Sequence, residues 1–390
     1  MRFATGGAVR GRLVYGRVPS YAPPTRLRLP AVMNPSTPTP APASDPDEPL
    51  RVWEPRLRAL ADRIRVAGRG AMARALAAGQ LETVDRPVAQ GAGDWTFGLD
   101  LETEAVVDAW FAEMAAAGPL SLFSEDSGWR HRGPCPESDT GWQSIEAFDH
   151  AGPRIVIDPI DGTRNMMADL RSAWTEIGLA PAGRDEPRLA DLRFGLLAEL
   201  SDSRAARYRV LSAWRGRGAR LEERNLDDGI EVSARPLIAD GDARADHGYF
   251  SFFRYTPAMR PLLAEVEARF FQRIAEREGA DVRHCFDDQY ISNGGQLALL
   301  ASGTYRLIAD LRASLSPRFD EPITTSKPYD CAGAILIARE AGCVLTAADG
   351  GELDFPLDAT TPVSFIGYAN AGTAERLADH VAAVLDELSN

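Results

Sequence analysis

The sequence predicts a layered α/β protein on three observations: β-like apolar runs crowd its first half, helix and strand patterns alternate through its second, and no repeat of fixed period runs through either. At 390 residues the chain has room for one large α/β unit or two ordinary domains around a substantial core. Hydrophobic residues at 45% and charged residues at 25% give the balance of a globular protein.

Residues 1 to about 48 carry six arginines before the first acidic residue, Asp45, and run through PSTPTPAPASDPDEP. Such a stretch cannot bury enough apolar surface to offset its ordering entropy, and it reads as disordered. Met33 offers an alternative start of translation, which would make residues 1–32 an artefact of the start assignment. From Val52 to about Ala78 the apolar residues Leu57, Leu60, Ile64, Met72 and Leu76 recur at helical spacing, and Gly79 follows as a stop. A second helix runs from Leu101 to about Ala117, with Asp100 as its N-cap and Glu102 and Glu104 in its first turn. Short strands follow at 120–123 (LSLF) and 154–157 (RIVI), each leading into acidic residues. Further strands fall near 174–180, 192–199 and 205–212, and a long helix from about Pro257 to Glu278 stops at Gly279. Then come a helix at 294–302, a strand at 304–309, a helix at 329–341, strands at 343–346 and 363–368, and a helix at 372–388.

A formal net charge of −13 repels phosphate polymers and gives no footprint for broad nucleic-acid binding, so an acidic chain that handles anions needs local cations. Lysine and arginine total 43, and Lys327 is the only lysine, a bias that GC-rich coding explains. No apolar run approaches the roughly 18 residues that cross a bilayer. Cys135, Cys285, Cys331 and Cys343 form no CxxC pair and suit a reducing cytoplasm. The five histidines show no HExxH or other close ligand spacing, so any bound metal has to be held by oxygen.

Ile155-Val156-Ile157-Asp158-Pro159-Ile160-Asp161-Gly162-Thr163-Arg164-Asn165 supplies such oxygens. A buried strand ends at Asp158, and a turn on Pro159 carries Asp161. The carbonyl of Ile160 lies between the two carboxylates, so all three can converge on one hard cation such as Mg²⁺. The N–H groups of Gly162 and Thr163, opening a helical segment, form a phosphate cradle. An ordinary strand-ending Asp-Gly turn would account for the DG pair alone, but not for the whole of D-P-x-D-G-T.

The segment resembles the first signature of the inositol monophosphatase superfamily, which also holds fructose-1,6-bisphosphatases and 3′-phosphoadenosine 5′-phosphate phosphatases. Leu122-Phe123-Ser124-Glu125-Asp126-Ser127 resembles its GEES segment, and Tyr329-Asp330-Cys331-Ala332-Gly333-Ala334 with Glu340-Ala341-Gly342 resembles its WDxAAG…EAGG signature, with Tyr in place of Trp. Thr96-Phe97-Gly98-Leu99-Asp100 resembles the segment ending in an aspartate before the second helix, and Gly294-Gly295-Gln296-Leu297-Ala298 resembles a GSAA-like segment that puts Gln296 toward the leaving group. The likeness spans about residues 52–388. It implies an α-β-α-β-α sandwich and a phosphatase domain at 49–390: a part to about 215 with the first motif, an insertion at about 216–260, and a part from about 261 with the second.

Carried over position by position, the resemblance implies that Glu125, Asp158 and the Ile160 carbonyl hold one Mg²⁺ and that Asp158, Asp161 and Asp330 hold a second, with Glu125 touching a third, weaker ion. Asp100 would hydrogen-bond Thr163, and that pair would take a proton from the attacking water. A solvated rim role for Glu125 and N-capping roles for Asp330 and Asp100 are the plainer alternatives. The implied activity is a lithium-sensitive, Mg²⁺-dependent phosphomonoesterase acting on a small sugar, polyol or inositol phosphate without a phosphoenzyme. A 3′-phosphoadenosine 5′-phosphate phosphatase, a fructose-1,6-bisphosphatase and a non-catalytic Mg²⁺-binding interaction protein are the alternatives. The expected partner is a small phosphate ester, with a homodimer left open and with neither membrane nor nucleic-acid polymer. The resemblance also places an inositol-contacting acid seven positions before Asp330, where this chain has Ile323. A second stretch of extra length, 314–321, could bend Asp320 or Glu321 inward instead. Lys327, three residues before Asp330, could approach the phosphate or balance the acidic cluster. The aromatic run 249–255 reads as core or interface packing before it reads as a base-stacking wall.

Overall fold

The computed structural model describes residues 45–79, 86–90, 95–125 and 127–389; the expectations for residues 1–44, for Met33 and for Asp126 lie outside them. In chain order its helices and strands begin with α1 (Glu48–Arg51), α2 (Trp53–Ala78), β1 (Pro87–Gln90), β2 (Trp95–Phe97), α3 (Gly98–Ala117), β3 (Leu120–Ser124), β4 (Gly128–Pro134) and β5 (Trp142–Ser144). The middle of the chain supplies β6 (Arg154–Asp161), α4 (Thr163–Met167), β7 (Ala173–Ala180), β8 (Phe194–Leu200), β9 (Arg207–Trp214), β10 (Ala219–Asn225), β11 (Glu231–Leu237) and β12 (His247–Phe252). The remainder is α5 (Arg260–Glu278), β13 (His284–Asp287), α6 (Asn293–Ala301), β14 (Tyr305–Asp310), α7 (Arg312–Leu315), α8 (Ala332–Ala341), β15 (Val344–Ala347), β16 (Phe365–Tyr368) and α9 (Ala371–Ser389).

Two sheets organise these elements. The larger has the strand order β11-β10-β9-β8-β7-β6-β3-β4-β5 and the smaller β13-β12-β14-β16-β15. Period-two alternation sorts the side chains of each sheet into two layers. On one face of the larger sheet Leu122, Ile155, Ile157, Ile177, Leu196 and Val210 pack under α2 and α3, which contribute Leu57, Leu60, Ile64, Val107, Trp110 and Phe111. On its other face Phe123, Val156, Leu197 and Leu211 meet Leu297 and Leu300 of α6 and Ile335 and Ile337 of α8, with Tyr305, Ile308 and Phe365 of the smaller sheet beyond. The far face of that sheet packs Phe250, Phe252, Leu307 and Ile366 against Leu263, Val266 and Phe270 of α5 and Leu377 and Val381 of α9. The result is helix, sheet, helix, sheet, helix, the five-layer α-β-α-β-α sandwich expected from the motifs.

The middle layer is tight. A Cβ on Gly333 would lie 2.5 Å from the carbonyl oxygen of Ile177, and one on Gly195 would lie 2.5 Å from that of Gly333. Only glycine at both positions lets the start of α8 touch β7 and β8, and this contact sets the height of Asp330 above the larger sheet.

Residues 216–260, read from the sequence as an insertion, are built into the sheets as β10, β11 and β12. Order begins earlier than about residue 48, because buried Asp47 receives Arg193 Nε at 2.7 Å and Nη2 at 3.1 Å beside the start of α1. Among the described residues no helix is long and apolar enough to cross a membrane.

Candidate active site

The two aspartates of the first motif lie three residues apart, an odd number that would send them to opposite faces of a regular strand. They share a face because β6 does not turn at Pro159, as the sequence suggested, but continues through a bulge. Asp158 pairs with Glu176 and Asp161 with Trp174, so three steps along β6 meet two along β7. The extra residue restores the parity, and both carboxylates line one cavity together with Asp100, Glu125, the Ile160 backbone region and Asp330.

Each group reaches that cavity from a different element. Glu125 follows β3 directly, and the Tyr329 hydroxyl donates to its Oε1 at 3.1 Å. Asp330 closes a 3₁₀ turn at Pro328–Asp330, where its Oδ2 accepts the Lys327 N–H at 2.9 Å; the cap of α8 is Cys331. Asp100 is not the N-cap of α3 either. That place belongs to Phe97, whose N–H donates to Asp100 Oδ2 at 2.7 Å from the first turn. The other oxygen of Asp100 faces Thr163 Oγ1 at 3.0 Å. Thr163 Oγ1 also lies 2.9 Å from the Ile160 carbonyl, and its single proton serves one acceptor at a time.

Asp161 differs most from its sequence reading. Its Oδ2 accepts Ser292 Oγ–H and Gly294 N–H, both at 2.6 Å, and its Oδ1 accepts Asn293 N–H at 3.2 Å. Ser292 is the N-cap of α6 and accepts Gly295 N–H at 2.8 Å, so the carboxylate sits against a helix N-terminus. Three of about four acceptor positions on Asp161 are thereby taken. Burial lifts its pKa to about 6 against the pull of these donors. Asp158 is held well above the usual carboxylate range, first by burial and then by the charges of Asp161, Glu125, Asp330 and Glu176. Glu176, on β7, was absent from the sequence reading. It is buried, with Oε1 accepting Gly333 N–H at 2.8 Å and Ala334 N–H at 3.2 Å.

Gly162 takes φ +92, and a Cβ there would lie 3.0 Å from the Ile291 carbonyl oxygen and from Ser292 Cβ. The helix that follows, α4, has only five residues, so an anion here meets the N–H groups of Gly162 and Thr163 rather than a developed macrodipole.

The substrate-side expectations fare differently. Gln296 is buried away from the cavity, its Nε2 donating to the Tyr290 carbonyl at 2.8 Å. Asp320 and Glu321 are exposed and line no part of the cavity, and Ile323 packs into the outer core. Lys327 does line the cavity, with Nζ donating to the Thr360 carbonyl at 3.2 Å. Sequence reasoning missed Arg164 and Arg312, which with Lys327 are the local cations that an acidic chain needs; the aromatic run, read first as core or interface packing, brings its end, Phe253 and Tyr255, to the cavity wall. The Asp310-Leu311-Arg312 spacing was the one signal available for Arg312.

All the acidic donors are hard oxygens crowded in a buried place, the chemistry that suits a divalent cation of the Mg²⁺ type. Among the described residues no three His, Cys, Asp or Glu side chains are yet drawn together as a finished metal centre.

The model of the inositol monophosphatase family matches residues 121–386. A Methanothermobacter thermautotrophicus protein named fructose-1,6-bisphosphatase/inositol-1-monophosphatase is 23% identical over 261 residues, 66% of this chain and 74% of that one. Inositol monophosphatase 2 of Saccharomyces cerevisiae is 25% identical over 247 residues, 60% of this chain and 70% of that one. Among solved structures, a Pyrococcus horikoshii protein described as hypothetical with similarities for inositol-1 monophosphatase superposes with TM-score 0.55 at 17% identity, covering 86% of this chain and 98% of that one. Inositol monophosphatase-II of Staphylococcus aureus gives 0.53 at 18%, covering 86% and 97%. At these identities the structural likeness speaks for the fold.

Proposed function

The chain belongs to the inositol monophosphatase family and is a phosphatase of that kind, and from this premise we propose that it is a Mg²⁺-dependent phosphomonoesterase hydrolysing a small sugar, polyol or inositol phosphate. The observation that carries the reading is one cavity holding Glu125, Asp158, Asp161 and Asp330 beside the Asp100–Thr163 pair. Glu125, Asp158, the Ile160 carbonyl and Asp330 would hold the ions, with Asp161 contributing its one remaining acceptor position. Bound there, divalent ions neutralise phosphoryl charge and make an attacking water more acidic.

The protein's own part is placement and proton handling. Gly162 and Thr163 N–H groups orient the phosphoryl oxygens. Thr163 Oγ1 accepts the proton of the attacking water while passing its own to Asp100 Oδ1, 3.0 Å away. Water oxygen forms the new P–O bond, the ester P–O bond breaks in line, and the leaving alkoxide takes a proton from solvent while Asp100 returns to solvent the one it received. Burial of Asp158 and Asp161 keeps bulk water from screening the site.

A panel of sugar, polyol, inositol and nucleotide phosphates, assayed for released phosphate with Mg²⁺ and with a chelator, tests the reading. Release from at least one ester, lost on chelation and lost in Asp158→Asn, is expected. Release that survives chelation, or none from any ester, refutes it.

A further inference from the structure

Glu176 is an acid that the reaction leaves unused. It lies on β7 opposite Asp158 of β6 and is 1% exposed, yet it does not line the cavity. Among the described residues its Oε2 is a buried oxygen with no hydrogen-bond partner, and a carboxylate buried in that state lowers stability rather than adding to it. What the residue is for has to be sought at its other oxygen.

Oε1 accepts Gly333 N–H at 2.8 Å and Ala334 N–H at 3.2 Å. These are the second and third residues of α8, whose N–H groups an N-cap side chain ordinarily receives. The residue at the cap, Cys331, makes no such bond, and its Sγ faces the Lys327 carbonyl at 3.4 Å instead. The helix is therefore capped from the larger sheet, by a residue 157 positions away from Gly333. Asp330 stands immediately before that cap with its Oδ2 tied to Lys327 N–H at 2.9 Å, so its place follows the first turn of α8. The neighbouring helix is held in the same manner, since Asp161 of β6 receives Asn293 N–H and Gly294 N–H from the start of α6. The two capping acids meet there: a Cβ on Gly294 would lie 3.0 Å from Asp161 Oδ2 and 3.1 Å from Glu176 Oε2.

We propose that Glu176 is a positioning residue of the metal site: by capping α8 from β7 it holds Asp330 beside Asp158, and it governs how tightly the site takes Mg²⁺ rather than the chemical step. The proposal rests on the phosphatase reading and adds to it a residue that touches neither ion nor substrate. Calorimetric titration of the purified protein with Mg²⁺ is the primary test, with phosphate release as the second readout. Glu176→Leu fills nearly the same space without an acceptor. It should weaken Mg²⁺ binding about tenfold or more, while kcat at saturating Mg²⁺ and KM for the ester stay within about threefold. Glu176→Gln keeps an oxygen for both N–H groups and should bind Mg²⁺ within about threefold of wild type. Asp47→Ala, which loosens the fold away from the cavity, should bind it as wild type does. Should the Leu variant fail to fold, Glu176→Asp, which draws the acceptor back by one methylene, takes its place with the same expectation of weakened binding. Unchanged affinity in the Leu or Asp variant, a Gln variant as weak as the Leu one, or an equal loss in Asp47→Ala overturns the assignment and leaves the phosphatase reading in place. A wild-type protein that neither binds Mg²⁺ nor releases phosphate from any ester overturns both.

Discussion

Replacing Asp161 by Asn removes a buried charge at nearly constant size, and its effect on the metal-free protein has a calculable pH dependence. Burial lifts the Asp161 carboxyl to about 6, against about 3.9 in an unfolded chain. At 1.36 kcal/mol per unit, the ionised form costs the folded state about 3 kcal/mol at neutral pH. An acid whose folded pKa is raised contributes stability that is complete below about pH 4 and is lost as pH climbs through 6. Asn does not titrate. The stability difference between variant and wild type should therefore move by about 2 kcal/mol in favour of Asn between pH 4 and pH 7. A roughly constant penalty of about 1 kcal/mol accompanies it, because the amide sets a donor against one of the donors from Ser292, Asn293 or Gly294. Urea unfolding of both proteins in chelator across that range measures the difference; carboxylates that do not feel Asp161 cancel between the two proteins, while Asp158 and Glu176, which its charge raises, add to the trend in the same direction. A difference that stays flat, or that moves toward wild type, refutes the account of Asp161. Saturating Mg²⁺ should flatten the trend, since a ligand that binds only the folded wild type restores what the charge costs.

Other outcomes follow from the same geometry. Tyr329→Phe keeps the ring, which stacks 5.7 Å from Phe123, but removes the donor to Glu125, so Mg²⁺ affinity measured by calorimetry should fall on the order of tenfold with the fold unchanged. An unaltered affinity would show that Glu125 needs no such support. Gly333→Ala places a methyl against the Ile177 carbonyl and should cost about 1–3 kcal/mol in urea unfolding, and phosphatase activity should fall with it as α8 and Asp330 are pushed off the larger sheet. Asp47→Ala removes the carboxylate that accepts Arg193 Nε and Nη2 at the start of the fold and should lower stability by about 1–3 kcal/mol while leaving substrate affinity as it was.

The parts of this molecule that were legible in its sequence are those fixed by local pattern. Period-two apolar runs gave β3, β6 and β7, helical spacing gave α2, α5 and α9, and D-P-x-D-G-T with its partner motifs brought Asp100, Glu125, Asp158, Asp161, Thr163 and Asp330 to one cavity. What was hidden depends on partners far away in the chain. The bulge after Asp158 exists only in register with Glu176 and Trp174, and no local pattern distinguishes it from a turn. The commitment of Asp161 to Ser292 is set by the packing of α6. Gln296 looked functional because it sits in a motif, yet its position on α6 turns it to the interior. Arg312 looked like one arginine among many, because a buried guanidinium is visible only once Asp310, Ser326 and Thr324 surround it.

The bond from Ser292 to Asp161 joins points 131 residues apart, and this bears on when the site comes into being. A chain emerging from the ribosome carries Asp158 and Asp161 long before Ser292 and Asp330 exist to meet them, so for much of its synthesis the acidic end of β6 is an unassembled cluster of like charges. Closing so long a loop belongs to the slow, late part of folding. Capacity for a divalent ion should then appear abruptly, with completion of the second sheet, and a chain stopped short of residue 330 should show none of it. Holding the two halves of the site on distant segments makes the finished centre a reporter that the whole sandwich has closed.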